Sequence, residues 1–294
     1  MTDTLLIPCF SRPEFLWHCL DNLVKTGDLH TVHVIIKPDY GHAHGILDVV
    51  REYADRMPSY EVLKTPAPLH KTSKQSKNLL DGYQYAAQKS DQLVFMVEED
   101  VMVSRDFFRY HRSLHDQQPG LFASLSTRNH NRSVTVETDP AAYYLSTGDY
   151  CSLGVCMRKE VIDLIAPHNN HLYHRDPVKY CLHNWPNSTI GRAYSEQDGL
   201  IRRIQTESGM PTAYPHVPRA FHAGYYGYNR SNPRRQPKGE FRSKVKELSL
   251  IIYNSDRMLG ASLTPAYFHD SRPVPLDIEP WNSLIKKQPP EAQA

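Results

Sequence analysis

Three adjacent carboxylates, Glu98, Glu99 and Asp100, follow directly on the most hydrophobic run of the chain, residues 92–97 (QLVFMV). Like charges at neighbouring positions repel, and ending a buried strand on them is costly unless a cation compensates. A hard divalent ion, Mn2+ or Mg2+, that keeps some waters and bridges substrate phosphates would supply that charge. In an α/β sheet the carboxyl ends of the strands are where ligands bind, and the triplet falls at such an end. The plainer alternative is an acidic turn facing solvent.

A second acidic pair, Glu196 and Asp198, lies in residues 194–202 (YSEQDGLIR). Ser195 can cap a helix there, with both acids in its first turn. Transfer of a group to a hydroxyl needs a general base, for which Asp198 is the first candidate and Glu196 the second. Acids in a first turn also occur for dipole reasons alone. His222, in residues 218–224 (PRAFHAG), is chemically fit to ligate a metal or to bond a phosphate. A histidine satisfied in the core is the equal alternative. His168, His171 and His174 are spaced by three, but Pro167 and two asparagines predict a solvated loop there rather than a metal cluster. No GxGxxG, Walker-type glycine loop or nucleophile elbow is present.

The elements that must position these groups begin with an apolar run at residues 4–9, closed by a helix that Pro13 can start. Strands are predicted at residues 31–37, 60–64 and 92–97, and helices at 44–56 and 78–89. Residues 64–77, with four lysines and two prolines, read as a loop. This alternation predicts an α/β fold with a mostly parallel, Rossmann-like sheet and right-handed crossovers. Beyond residue 120 the texture becomes mixed α+β. Short strands are expected at 121–126, 133–136 and 142–145, and helices at 159–165, 196–205 and 240–259. The expected organisation is one domain over residues 1–270, with a nucleotide-binding half to 120, an acceptor half after it, and an extended proline-rich tail over 271–294.

At 294 residues the chain can bury a large core, and a net charge of +2 sets up no global field toward nucleic acid or membrane. The start of the chain does not read as a signal peptide, and no apolar run is long enough to span a bilayer. Five cysteines without a CxxC pair predict reduced thiols and a cytoplasmic setting, the host cytoplasm if the source is viral.

The segment VEEDVMVSRDFFRYH (residues 97–111) resembles the Glu-Asp-Asp motif and the downstream Asp-Phe-Phe element of the N-acetylglucosaminyltransferase I family of GT-A glycosyltransferases. The resemblance implies a GT-A fold, a UDP-sugar donor and inverting transfer. By it, Asp100 binds manganese, and Glu98 and Glu99 orient the sugar and ribose, Glu99 standing where the family usually has Asp. IPCFSR (residues 7–12) and IKPDYGH (36–42) resemble the family's first two strand ends, which makes Pro8, Arg12 and Asp39 donor contacts. The late His-Gly element assigns His222 to the metal or the diphosphate.

For the acceptor, residues 230–246 carry seven basic residues against one acid, among them Arg230, Arg234 and Arg235, just after Tyr225 and Tyr226. Aromatic residues beside a basic run suit a nucleic-acid surface. The chain is compatible with the phage-type enzymes that glycosylate hydroxymethylated pyrimidines in DNA, chemistry that requires a flipped base. A glycan or polysaccharide precursor is the alternative acceptor, and nucleotidyl transfer the alternative reaction.

Overall fold

The structure, a computed structural model, describes residues 2–10, 12–39, 45–63, 74–127, 142–148, 150–186, 196–215, 218–222 and three two-residue strands beyond them. The predicted strand at 133–136, the helix at 240–259, most of the lysine-rich loop and nearly all of the tail lie outside these residues.

The first half builds as its patterning requires. Strand β1 (Asp3–Cys9) leads into helix α1 (Pro13–Lys25), β2 (Val32–Pro38), α2 (Ile46–Tyr53), β3 (Tyr60–Val62), α3 (Lys74–Lys89) and β4 (Leu93–Met96). Pro13 opens α1, where its missing N–H costs nothing. β1 pairs in parallel with β2 on one side and with β4 on the other, and β3 extends the sheet beyond β2. The chain therefore winds outward from β1 in two directions.

The second half completes the same sheet. It adds β5 (Val101–Val103), α4 (Phe107–Gln117), β6 (Ala123–Leu125), β7 (Ala142–Ser146), β8 (Val155–Arg158), α5 (Lys159–Ile165), α6 (His171–Arg175), α7 (Pro177–Asn184), α8 (Gln197–Ser208), β9 (Thr212–Pro215) and β10 (Ala220–His222). The main sheet runs β7-β9-β6-β8-β4-β1-β2-β3, with the two-residue strand Lys286–Lys287 beside β7. β8 is antiparallel to β4 and β6, and β7 to β9, while the other pairs run parallel. The sheet is thus mostly parallel, in keeping with the expected α/β class. β5 and β10 form a separate antiparallel ribbon.

Side chains alternate across the sheet with the period of a strand. Leu5, Ile7, Val34, Ile36 and Phe95 pack into a core with α1, α2 and α4. Leu6, Ile35, Val94, Met96, Val155 and Met157 pack on the opposite face with α3, α5 and α8. Covering both faces buries all four residues of β4.

Two local expectations change. Residues 171–184 are not a loop but two short helices, with Asn170 capping α6 and Asp176 capping α7 through their side chains. The N-cap of α8 is Glu196, which makes no side-chain cap bond, and Ser195 lies outside the described residues.

Candidate active site

The order β4-β1-β2-β3 places a topological switch point between β1 and β4, where the chain leaves one strand for each face of the sheet. Crevices at such points hold ligands in open α/β sheets. Here the chain after β1 and the acidic turn after β4 meet. Backbone bonds set the two together: Glu99 N–H donates to Pro8 O at 3.3 Å, and Asp39 N–H, at the end of β2, to Cys9 O at 2.7 Å. Pro8, Asp39 and the triplet thus share one edge, as their positions after parallel strands predict.

Within the triplet each carboxylate has a different job. Glu99 is buried, and both its oxygens are satisfied: Phe10 N–H donates to Oε2 and Arg12 Nε to Oε1, each at 2.7 Å. Asp100, 4% exposed, receives Arg12 Nη1 at Oδ2 over 2.8 Å. Arg12, expected as a donor contact, therefore also neutralises two of the three acids. Burial alone would raise the Asp100 carboxyl; His222 and Arg12 outweigh it and hold the group well below the usual carboxylate range.

His222 arrives from far along the chain. β10 pairs with β5 so that His222 stands opposite Val101, next to Asp100. Its Nε2 lies 3.3 Å from Asp100 Oδ2. The ribbon is anchored in the core, where Arg219, fully buried, pairs with Asp106 at 3.5 Å and lies over the Tyr110 ring. From the other side, the Asn22 side chain on α1 bonds Val103 N–H at 2.6 Å and Val103 O at 3.1 Å. Asp100 Oδ1 is buried without a hydrogen-bond partner. Such an oxygen is costly to leave bare and is chemically suited to a cation. Among the described residues no group of three or more His, Cys, Asp or Glu side chains is arranged to hold a metal alone. Asp100 and His222 form a pair instead, which fits an ion completed by donor phosphates and water.

Glu98 faces the second half. Its Oε1 accepts from Ser152 Oγ at 2.9 Å, and the same hydroxyl lies 3.3 Å from Asp198 Oδ2. Burial, then the charges of Asp100 and Asp198, push the Glu98 carboxyl up to about 7. Burial pushes Asp198 up to about 6 against the hydrogen bonds from Ser152. That value suits a group that must take a proton near neutrality. Asp198 Oδ1 is buried and has no partner. The two base candidates thus separate: Asp198 joins the acidic cluster, and Glu196 is exposed at the helix start.

The histidine triplet does not gather. His168 stacks on Trp185 and bonds Tyr180, His174 bonds Asn169, and His171 is exposed. Tyr225, Tyr226, Arg230, Arg234 and Arg235 lie outside the described residues. Two residues that spacing did not single out matter to the site, Ser152 and Arg219. Ser152 sits in no motif; Arg219 lies within the 218–224 segment that carries His222, which gives it no role of its own.

The sheet order and flanking helices make this an α/β fold of the GT-A type. The chain belongs to the family described as glycosyltransferase like family 2, whose model matches residues 4–162, more than half its length. It is accordingly a glycosyltransferase. No curated protein matches the sequence. Among solved structures, TarS 1-349 from S. aureus is similar at 12% identity, covering 91% of this chain and 68% of that one, with a TM-score of 0.45. The mannosyltransferase PcManGT from Pyrobaculum calidifontis, in complex with GDP-Man and Mn2+, is similar at 11% identity, covering 90% of this chain and 66% of that one, with a TM-score of 0.43. Nothing about this chain's donor or acceptor follows from likenesses so distant. No described helix is long and apolar enough to cross a membrane.

Proposed function

We propose that the chain moves a sugar from a nucleoside-diphosphate donor, by preference a UDP-sugar, to a hydroxyl acceptor with inversion. The observation that carries this reading is the bare, buried Asp100 Oδ1 beside His222 at the switch point. Asp100 and His222 would hold Mn2+ or Mg2+, which when bound offsets the charge gathering on the departing diphosphate. Pro8, Arg12 and Asp39 line the donor side and Glu98 the sugar side; Glu99, expected to orient the sugar or ribose, is instead buried with both oxygens held by Phe10 and Arg12 and positions the turn. Asp198 Oδ1 takes the proton of the acceptor hydroxyl. The freed oxygen forms a bond to the anomeric carbon, and the carbon–oxygen bond to the diphosphate breaks, its electron pair leaving with the diphosphate. Placing base and leaving group on opposite sides of the sugar is what inversion requires.

The acceptor reading rests on the basic, tyrosine-flanked segment at residues 225–246 and names 5-hydroxymethylpyrimidine in duplex DNA. The test is nucleoside diphosphate release from UDP-sugars and GDP-mannose with Mn2+, with and without such a duplex. Release that rises with modified DNA and stops with chelator is expected. Metal-dependent release indifferent to DNA would redirect the acceptor to a glycan or polysaccharide precursor. Release unaffected by chelator and by Asp100→Ala would overturn the metal reading.

A further inference from the structure

The geometry points to Ser152 as a positioning residue for transfer, one that locks the Asp198 carboxylate against Glu98 and leaves Asp198 Oδ1 as the oxygen free to take a proton. This inference rests on Asp198 being the base.

Ser152 is buried in the stretch between β7 and β8. Its Oγ lies 3.3 Å from Asp198 Oδ2 and 2.9 Å from Glu98 Oε1. A partner at Oδ2 and none at Oδ1 sets which oxygen of the carboxylate is held and which is left open. The hydroxyl owns one proton, which lies between two acceptors, Glu98 Oε1 at 2.9 Å and Asp198 Oδ2 at 3.3 Å. Ser152 thereby joins a carboxylate of the donor-side turn to one on α8, 100 residues away in the chain, through a single atom.

The stretch around Ser152 is itself pinned at both ends. Before it, Tyr150 OH meets Tyr83 OH of α3 at 2.9 Å. After it, Gly154 takes φ +71°, a left-handed conformation that favours glycine. Gly154 O accepts Ser126 N–H at 2.9 Å, and a Cβ on Gly154 would come within 2.9 Å of Ala220 Cβ on β10. Ser152 is therefore held from α3, from the end of β6 and from the ribbon that carries His222. A side chain so placed registers the base to the donor-side turn.

The experiment compares Ser152→Ala, Ser152→Thr, Asp198→Asn and the Ser152→Ala/Asp198→Asn double variant. Each is assayed by nucleoside diphosphate release from whichever of UDP-glucose, UDP-N-acetylglucosamine or GDP-mannose the unaltered enzyme turns over with Mn2+. Ser152→Ala is expected to lower kcat by about 10- to 100-fold, the scale of a misplaced reacting group, with donor KM nearly unchanged. Ser152→Thr, which keeps the hydroxyl, restores most of the loss, and the double variant is no worse than Asp198→Asn. An unchanged kcat in Ser152→Ala while Asp198→Asn is impaired overturns the inference alone. A full rate in Asp198→Asn overturns the reading of the base, and the inference with it. Crystal structures supply a readout independent of turnover. Asp198 is expected to rotate away from Glu98 in Ser152→Ala and to stay in Ser152→Thr, and an unmoved Asp198 in Ser152→Ala overturns the proposal.

Discussion

Arg12 binds Asp100 and Glu99 with one guanidinium, Nη1 to Asp100 Oδ2 at 2.8 Å and Nε to Glu99 Oε1 at 2.7 Å. Both acids are almost wholly buried, so the pairing is what lets the acidic turn fold beside β1. Arg12→Ala leaves two buried carboxylates facing each other and is expected to cost about 3–5 kcal/mol of stability, the scale for breaking a buried pair by removing one partner. Chemical denaturation measures it. A loss below about 1 kcal/mol, typical of an exposed pair, would show that the guanidinium is dispensable to the fold.

Asp100→Ala removes one of the crowded charges and should leave the protein folded. Transfer is expected to fall at least about 100-fold, as when a group stabilising transition-state charge is lost. Titration calorimetry should find Mn2+ binding weakened in the same variant and in His222→Ala. Binding unchanged in both would place the cation elsewhere.

Asp198 and Glu196 are resolved by kinetics. Asp198→Asn keeps the shape, removes the basic oxygen, and is expected to lower kcat by about 10²- to 10⁴-fold. Glu196→Gln, exposed at the start of α8, should lose far less. The reverse order would move the base by two residues.

Two buried histidines predict how stability depends on pH. Burial holds His115 down to about 4 and His111 well below its usual range. Unfolded, each imidazole titrates near 6.5, roughly the free value. The native state binds fewer protons between these limits, so stability is fully present above about pH 6.5 and is lost as pH falls toward 4. His115 alone accounts for about 3 kcal/mol at the acid end. Glu98 and Asp198, whose raised carboxyls contribute with the opposite sign, titrate in the same window, so the check is a difference: the melting temperature of His115→Leu relative to the unaltered protein should rise as pH falls from about 6.5 toward 4. A variant with the same slope as the unaltered protein would assign the acid sensitivity to other groups.

Much of this arrangement is legible in residue order, and the boundary of legibility has physical causes. β1, β2 and β4 are apolar on both faces and bounded by Pro38 or charge, so their runs stand out. β8 is missed because four residues, VCMR, carry no period, and only its pairing between β4 and β6 makes it a strand. α4, FFRYHRSLHDQ, hides because its buried face includes the polar residues His111, Ser113 and His115; His111 bonds Ser124 and Ser126, and His115 Nε2 bonds Cys156 O. The histidine-rich stretch reads as a loop because its asparagine and aspartate caps also favour turns. In the site, the acidic triplet is visible as composition, whereas Arg12's partners and Ser152's bridge depend on which residues the fold sets side by side.

The ribbon of β5 and β10 has a last consequence. Asp100 and His222 are 122 residues apart in the chain. An ion gripping both would act as a reversible cross-link closing a long loop, and its binding free energy would reappear as resistance to unfolding. At 100 times its dissociation constant such a ligand adds about 2.7 kcal/mol by mass action. A metal-induced rise in melting temperature would therefore weigh the Asp100–His222 contact without any substrate, and severing either end would abolish the rise.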